Sequence, residues 1–210
     1  GIPVYVEMMD YACSAMSGAT DEFSAIQKLT MATAGFMIYD GSMHYTGEYY
    51  VDDFYVREFV EDCNGYISGP AEKNDCRDFA CVADTLGAAI GISDNIQIYA
   101  FWRDNGEPYH DFPTLPIKPA GMGDVVSVTW EFHQLNYRKP ASTKMMSDGS
   151  LLLDSDNNEF WTSPGILANY DIDWDDYEFK LVRYLYRYPT ADQEDIPYCV
   201  INEGVRPWAP

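Results

Sequence analysis

NDCRDFACVADTLGAAIGI, residues 74 to 92, is the stretch where a reactive residue type, a helix start and an apolar repeat of helical spacing coincide. Asp75 is placed to cap a helix, its carboxylate accepting from the N–H groups of the first turn, and Asp78 stands three residues on, where a capping box puts its acid. The helix is expected to begin at Cys76. Phe79, Ala83, Leu86 and Ile90 then recur on one face, flanked by Ala80 and Val82, and Gly91 supplies the stop. That makes a buried helix of about four turns.

Cys76 falls on the same buried face, but in the first turn, where unpaired N–H groups and the positive end of the helix dipole favour a thiolate. It reads either as a nucleophile or as one of the small apolar cysteines common in protein cores. Asp75 and Asp78 should raise its pKa by their negative charge, whereas the helix terminus and a nearby histidinium should lower it. The lowering influences are expected to win.

These residues resemble a known family. Asp75-Cys-Arg-Asp-Phe-Ala80, followed by an apolar helix ending Leu86-Gly-Ala-Ala-Ile-Gly-Ile92, is similar to the nucleophile segment of the transglutaminase-like superfamily of papain-type cysteine enzymes. The resemblance spans roughly Phe23 to Leu185 and implies a triad in the chain order Cys, His, Asp. It further implies an α+β fold of the papain-like, transglutaminase-like kind: N-terminal helices, with the nucleophile helix packed on an antiparallel β-sheet. The implied chemistry is acyl transfer on peptide or protein carboxamides through a thioester, resolved by water in a peptidase or amidase and by an amine in a transglutaminase.

The base and the acid can be sought on that pattern. Val125 to His133 alternates cleanly, with Val126, Val128, Trp130 and Phe132 on one face and Ser127, Thr129, Glu131 and His133 on the other, so His133 is expected on the polar face at the end of a strand. The resemblance puts the base histidine in such a place, ahead of an aromatic-rich turn. His110 lies in a Pro-rich loop and reads as a surface residue, while His44 precedes the nucleophile, against the family order. For the acid that orients the ring, Asp148 and Asp154 both follow His133; the resemblance favours Asp148, in Asp148-Gly-Ser-Leu151, over Asp154. Asp148-Gly149 also reads as a plain hairpin dipeptide.

Composition narrows the alternatives. The chain has 210 residues, 47% hydrophobic and 15% aromatic, enough for one sizeable core and too few to require two, so residues 1–210 are read as a single domain. A formal charge of −21, from 13 Lys and Arg against 34 Asp and Glu, opposes nucleic acid and anionic lipid, leaving a polypeptide substrate or protein partner. Apolar runs are too short for a membrane span. A start at Gly1 without Met allows a trimmed form of an exported chain; the compartment is left open, with the cell envelope or exterior favoured over the cytoplasm. Five cysteines (Cys13, Cys63, Cys76, Cys81, Cys199) are an odd number, so at least one thiol is free or paired outside the chain; with Cys76 free, the other four allow three pairings.

There is no CxxC, and the three histidines are far apart, so neither zinc nor any other metal or cofactor is expected. Asp154-Ser-Asp-Asn-Asn and Asp171-Ile-Asp-Trp-Asp-Asp alternate acids like calcium loops, yet lack the central Gly and the twelfth-position Glu. The competing functional class is a catalytically inactive domain of the same fold that binds protein or carbohydrate through its 17 tyrosines and 5 tryptophans.

Elsewhere, Thr20 is expected to cap a helix carrying Phe23, Ile26, Leu29 and Thr33 as far as Gly35. Phe36 to Tyr39 and Asn95 to Trp102 read as strands, Asp52 to Cys63 as an amphipathic helix, and Arg103 to Gly123 as a long loop with four prolines. Ser150 to Asp154 and Tyr177 to Tyr188 continue the sheet, and Pro197 to Pro210 reads as an extended tail.

Overall fold

The computed structural model describes residues 6–41, 53–57, 59–61, 73–92, 97–103, 112–113, 117–122, 124, 126, 129–130, 132–138, 145–151, 172–173, 191–196 and 200–202. Helix α3, Cys76–Ala89, lies at the centre. Its start is the capping box expected from Asp75 and Asp78, and its end is Ile90 followed by Gly91 at φ 84°, the left-handed conformation glycine adopts without strain. Every residue from Asp78 to Leu86 is buried. The helix is covered on one side by α1 (Val6–Ala15) and α2 (Glu22–Phe36), and on the other by a β-sheet.

That sheet has five strands in the order β10 (Ala191–Ile196), β4 (Gln97–Arg103), β7 (Phe132–Arg138), β8 (Met145–Ser147) and β9 (Ile172–Asp173), all antiparallel neighbours. Its central strand β7 packs against α3. A side-chain amide fastens the two elements: buried Asn136 donates from Nδ2 to the Ala80 carbonyl at 2.9 Å. Smaller pairings surround this body. β1 (Ile38–Tyr39) runs parallel to β3 (Lys73–Asn74), β2 (Asp53–Tyr55) parallel to β11 (Val200–Asn202), and β5 (Phe112–Pro113) antiparallel to β6 (Thr129–Trp130).

Several expectations are corrected. Helix α1 was not expected at all: only Met8 and Ala12 bury from it, a stripe too narrow to register as a period, yet both join the core upstream of residue 23. Helix α2 is capped by Asp21 rather than Thr20, and passes through Gly35 to end at Phe36. Residues 53–55 form a strand ahead of the helical turn that holds Val56, Phe59 and Val60. The expected single strand 125–133 is divided, its first part pairing outside the main sheet through Val126 with Ile117 and through β6 with β5. Val200–Asn202 is paired with β2 within the stretch read as a tail; Leu151 bridges Pro119, and the rest of the strand expected over Ser150 to Asp154 lies outside the described residues. Tyr177 to Tyr188 lies outside the described residues. Among the described residues no helix is long and apolar enough to cross a membrane.

Leu86 is 0% exposed on the face of α3 that the apolar repeat pointed to, whereas Val6 is 66% exposed. Urea denaturation should find Leu86→Ala less stable by about 2–5 kcal/mol, the range for a buried Leu truncated to leave a cavity. Val6→Ala should stay within about 0.5 kcal/mol of the parent.

Candidate active site

The head of α3 is tightly hydrogen-bonded. Asp75 has extended backbone, φ −103° and ψ 179°, which turns its side chain onto the first turn. Its Oδ1 accepts the Arg77 N–H at 2.9 Å and the Asp78 N–H at 3.1 Å, while Asp78 Oδ2 accepts the Asp75 N–H at 3.3 Å. Asp75 Oδ2 takes both Nε and Nη2 of Arg77, each at 2.9 Å, a forked charge-assisted contact. Burial pushes the Asp75 carboxyl above its ordinary pKa, and the guanidinium and the two N–H groups pull against it.

Cys76 follows at the first helical position, 3% exposed, with a free thiol. Its sulfur accepts the backbone N–H of Gln134 on β7. The thiol is nonetheless held well above its ordinary pKa, first by burial and then by the negative charge of Asp75, with Asp148 adding to the rise; the Gln134 N–H and Arg77 lower it by less. This reverses the expected balance. The N–H groups counted on to favour a thiolate are already taken by the Asp75 carboxylate, and removing a thiolate from water costs more than the remaining dipole returns.

His133 is the second residue of β7, opposite Phe101 of β4, and is fully buried rather than set on a polar face. Asp148 is carried to it by β8. The β7–β8 ladder ends at the pair Asn136 with Ser147, and Asp148 is the next residue along the chain. The result is a contact of 2.9 Å between His133 Nε2 and Asp148 Oδ2. A carboxylate only accepts, so Nε2 carries the proton and Nδ1 is the basic nitrogen. Gly149 has no positive φ, which rules out the type I′ hairpin turn that Asp148-Gly149 could have formed.

The structure thus joins His133 to Asp148 and sets Cys76 against the residue next to His133. His44, His110 and Asp154 lie outside the described residues, as do both acidic loops. The Arg77 fork and the Gln134 N–H were not anticipated: the first is local and could have been read from Asp75-Cys-Arg, whereas the second depends on how β7 docks on α3. Cys13 is also a free thiol, and exposed, while Cys81 is disulfide-bonded, so none of the three pairings that use all four other cysteines is formed. Among the described residues no three His, Cys, Asp or Glu side chains group to hold a metal ion.

No protein-family model matches the chain, and no curated protein sequence does. A solved structure that it matches is that of red sea bream transglutaminase, at 12% sequence identity and a TM-score of 0.42, over 79% of this chain and 32% of that one. The chain therefore spans about a third of the transglutaminase's length.

Two measurements follow from the raised thiol. Iodoacetamide at neutral pH should modify exposed Cys13 while leaving Cys76 intact until the chain unfolds; equal rates would show that burial does not protect it. The second is a stability profile. Because the folded thiol titrates above the unfolded one, its contribution is whole below the unfolded value of about 8.5 and is lost as pH climbs toward the folded value. The stability of the parent relative to Cys76→Ala should therefore fall above that pH, by at most about 1.4 kcal/mol per unit.

Proposed function

We propose that the chain is a cysteine-dependent acyl-transfer enzyme of the transglutaminase-like, papain-like type. Cys76 is the nucleophile, His133 the base and Asp148 the acid that orients the ring. The observation that carries this reading is the buried His133–Asp148 pair at 2.9 Å, placed so that the very next backbone N–H, from Gln134, is donated to the Cys76 sulfur.

The reaction starts from a neutral thiol. As the sulfur attacks a carboxamide carbon, His133 Nδ1 takes the thiol proton, and Asp148 stabilises the imidazolium that forms. The C–N bond then breaks, the proton passes to the leaving ammonia or amine, and a thioester is left on Cys76. Water or a second amine releases the acyl group. A buried thiol implies that substrate entry displaces whatever covers the sulfur, so a polypeptide able to contribute binding energy suits the site better than a small free amide.

One observation favours the other class, an inactive domain of the same fold that binds protein or carbohydrate: the thiol is buried and held protonated. Ammonia release from a glutamine-containing polypeptide, with and without a primary-amine probe, separates the two. The parent should release ammonia or incorporate the amine. Cys76→Ala should fall to background, and His133→Ala should lose about 10²–10⁴-fold, the usual scale for an essential general base. A parent that neither releases ammonia nor cleaves the polypeptide, yet binds it as tightly as Cys76→Ala does, is a binding domain.

A further inference from the structure

The His133–Asp148 pair depends on something beyond its own two residues. A carboxylate whose side chain is 1% exposed must have both oxygens satisfied, and Oδ2 is the one that faces the ring. Asp148 Oδ1 accepts twice from one residue: Ser150 donates its backbone N–H at 2.8 Å and its hydroxyl at 2.6 Å. Ser150 is 0% exposed, so no water replaces either bond if it is lost.

We infer that Ser150 is a positioning residue for the His133–Asp148 pair, holding the carboxylate plane so that Oδ2 meets the imidazole Nε2 while the hydroxyl draws part of the charge to Oδ1. The inference rests on the acyl-transfer reading for its effect on turnover, but its geometry concerns the pair alone. Two donors converge on one oxygen from a single residue, which fixes the rotation of the carboxyl about its Cβ–Cγ bond, normally a soft torsion.

Ser150 is itself held from outside. Its carbonyl accepts the Ala120 N–H at 2.8 Å, the flanking Leu151 bridges Pro119, and the Ala120 carbonyl accepts the Tyr39 N–H at 2.9 Å. The chain passes so close to β1 there that a Cβ on Gly121, whose φ is +71°, would stand 2.7 Å from Ile38 Cγ1. On the other side of the acid, Ser147 and Thr30 share a hydrogen bond of 2.5 Å between their hydroxyls, tying β8 to α2. Asp148 is therefore gripped on both sides along the chain, and the Ser150 grip reaches its carboxylate.

The test compares Ser150→Ala, Ser150→Thr and the Thr-shaped, hydroxyl-free Ser150→Val. The first readout needs no substrate: the downfield NMR resonance of the proton between His133 Nε2 and Asp148, followed in ¹⁵N-labelled protein. It should exchange with water about tenfold faster, or vanish, in Ser150→Ala and Ser150→Val, and stay at the parent position in Ser150→Thr. The second is turnover, in which kcat should drop roughly tenfold with KM unchanged in the hydroxyl-free variants, the lower end of the effect seen when a partner behind a working histidine is removed. Folded Ser150→Ala with a parental resonance and parental kcat overturns the inference, since a merely structural serine would lower the melting temperature and move neither. If both hydroxyl-free variants fail to fold, the parent decides: the Ser150 hydroxyl proton must be visible and slow to exchange, and its absence overturns the inference. A parent with no turnover but with the expected loss of resonance sinks the acyl-transfer reading and leaves the positioning of the pair established.

Discussion

The carboxylate of Asp75 is the constraint around which the centre of the molecule is arranged. It is a buried anion, and such a group persists only when its lone pairs are filled and its charge is countered. Two N–H groups of the first turn and the Arg77 fork do both. In doing so they set where α3 begins, and hence the height at which Cys76 meets β7. The same interaction deprives the thiol of the dipole that would have acidified it. Helix definition and thiol activation compete for one set of donors, and here the helix takes them.

The sheet supplies the other half of the site. β7 and β8 are antiparallel neighbours whose ladder ends at Asn136 and Ser147, and Asp148, the residue after it, meets His133 at 2.9 Å. Asn136, three residues beyond His133, hydrogen-bonds a carbonyl in the middle of α3. The histidine-bearing strand is thereby fixed in register with the cysteine-bearing helix. Polar groups inside a core are costly unless paired, and this network pairs backbone, amide, hydroxyl, ring and carboxylate in one connected region.

How far the sequence could be read follows from which interactions are local. The limits of α3 were legible because a capping box and a left-handed glycine are written within four residues of each end. Asp148 was preferred over Asp154 on the resemblance, whereas its contact with His133 depends on the pairing of β7 with β8, a strand that no local pattern announced. Helix α1 was not legible, since two buried residues make no period. Nor was the division of the 125–133 segment, or the pairing of Val200–Asn202 with Asp53–Tyr55, because both depend on partners distant in the chain. The thiol was misjudged for a similar reason. Charges flanking Cys76 can be counted in a sequence, but the depth at which the helix head is buried cannot, and depth proved to be the larger influence.

Cys76 and Cys81 belong to the same helix, one a free thiol and the other part of a disulfide. Five residues along an α-helix separate them by about 7.5 Å in rise and about 140° in rotation, so the thiol and the bridge leave the helix on different sides. Disulfide exchange requires a thiolate, in line with the sulfur it attacks. The protonated state imposed on Cys76 and the angular offset imposed by the helix both oppose that encounter. The chain can thus keep a reducing group and an oxidised one in a single element of structure without the two scrambling.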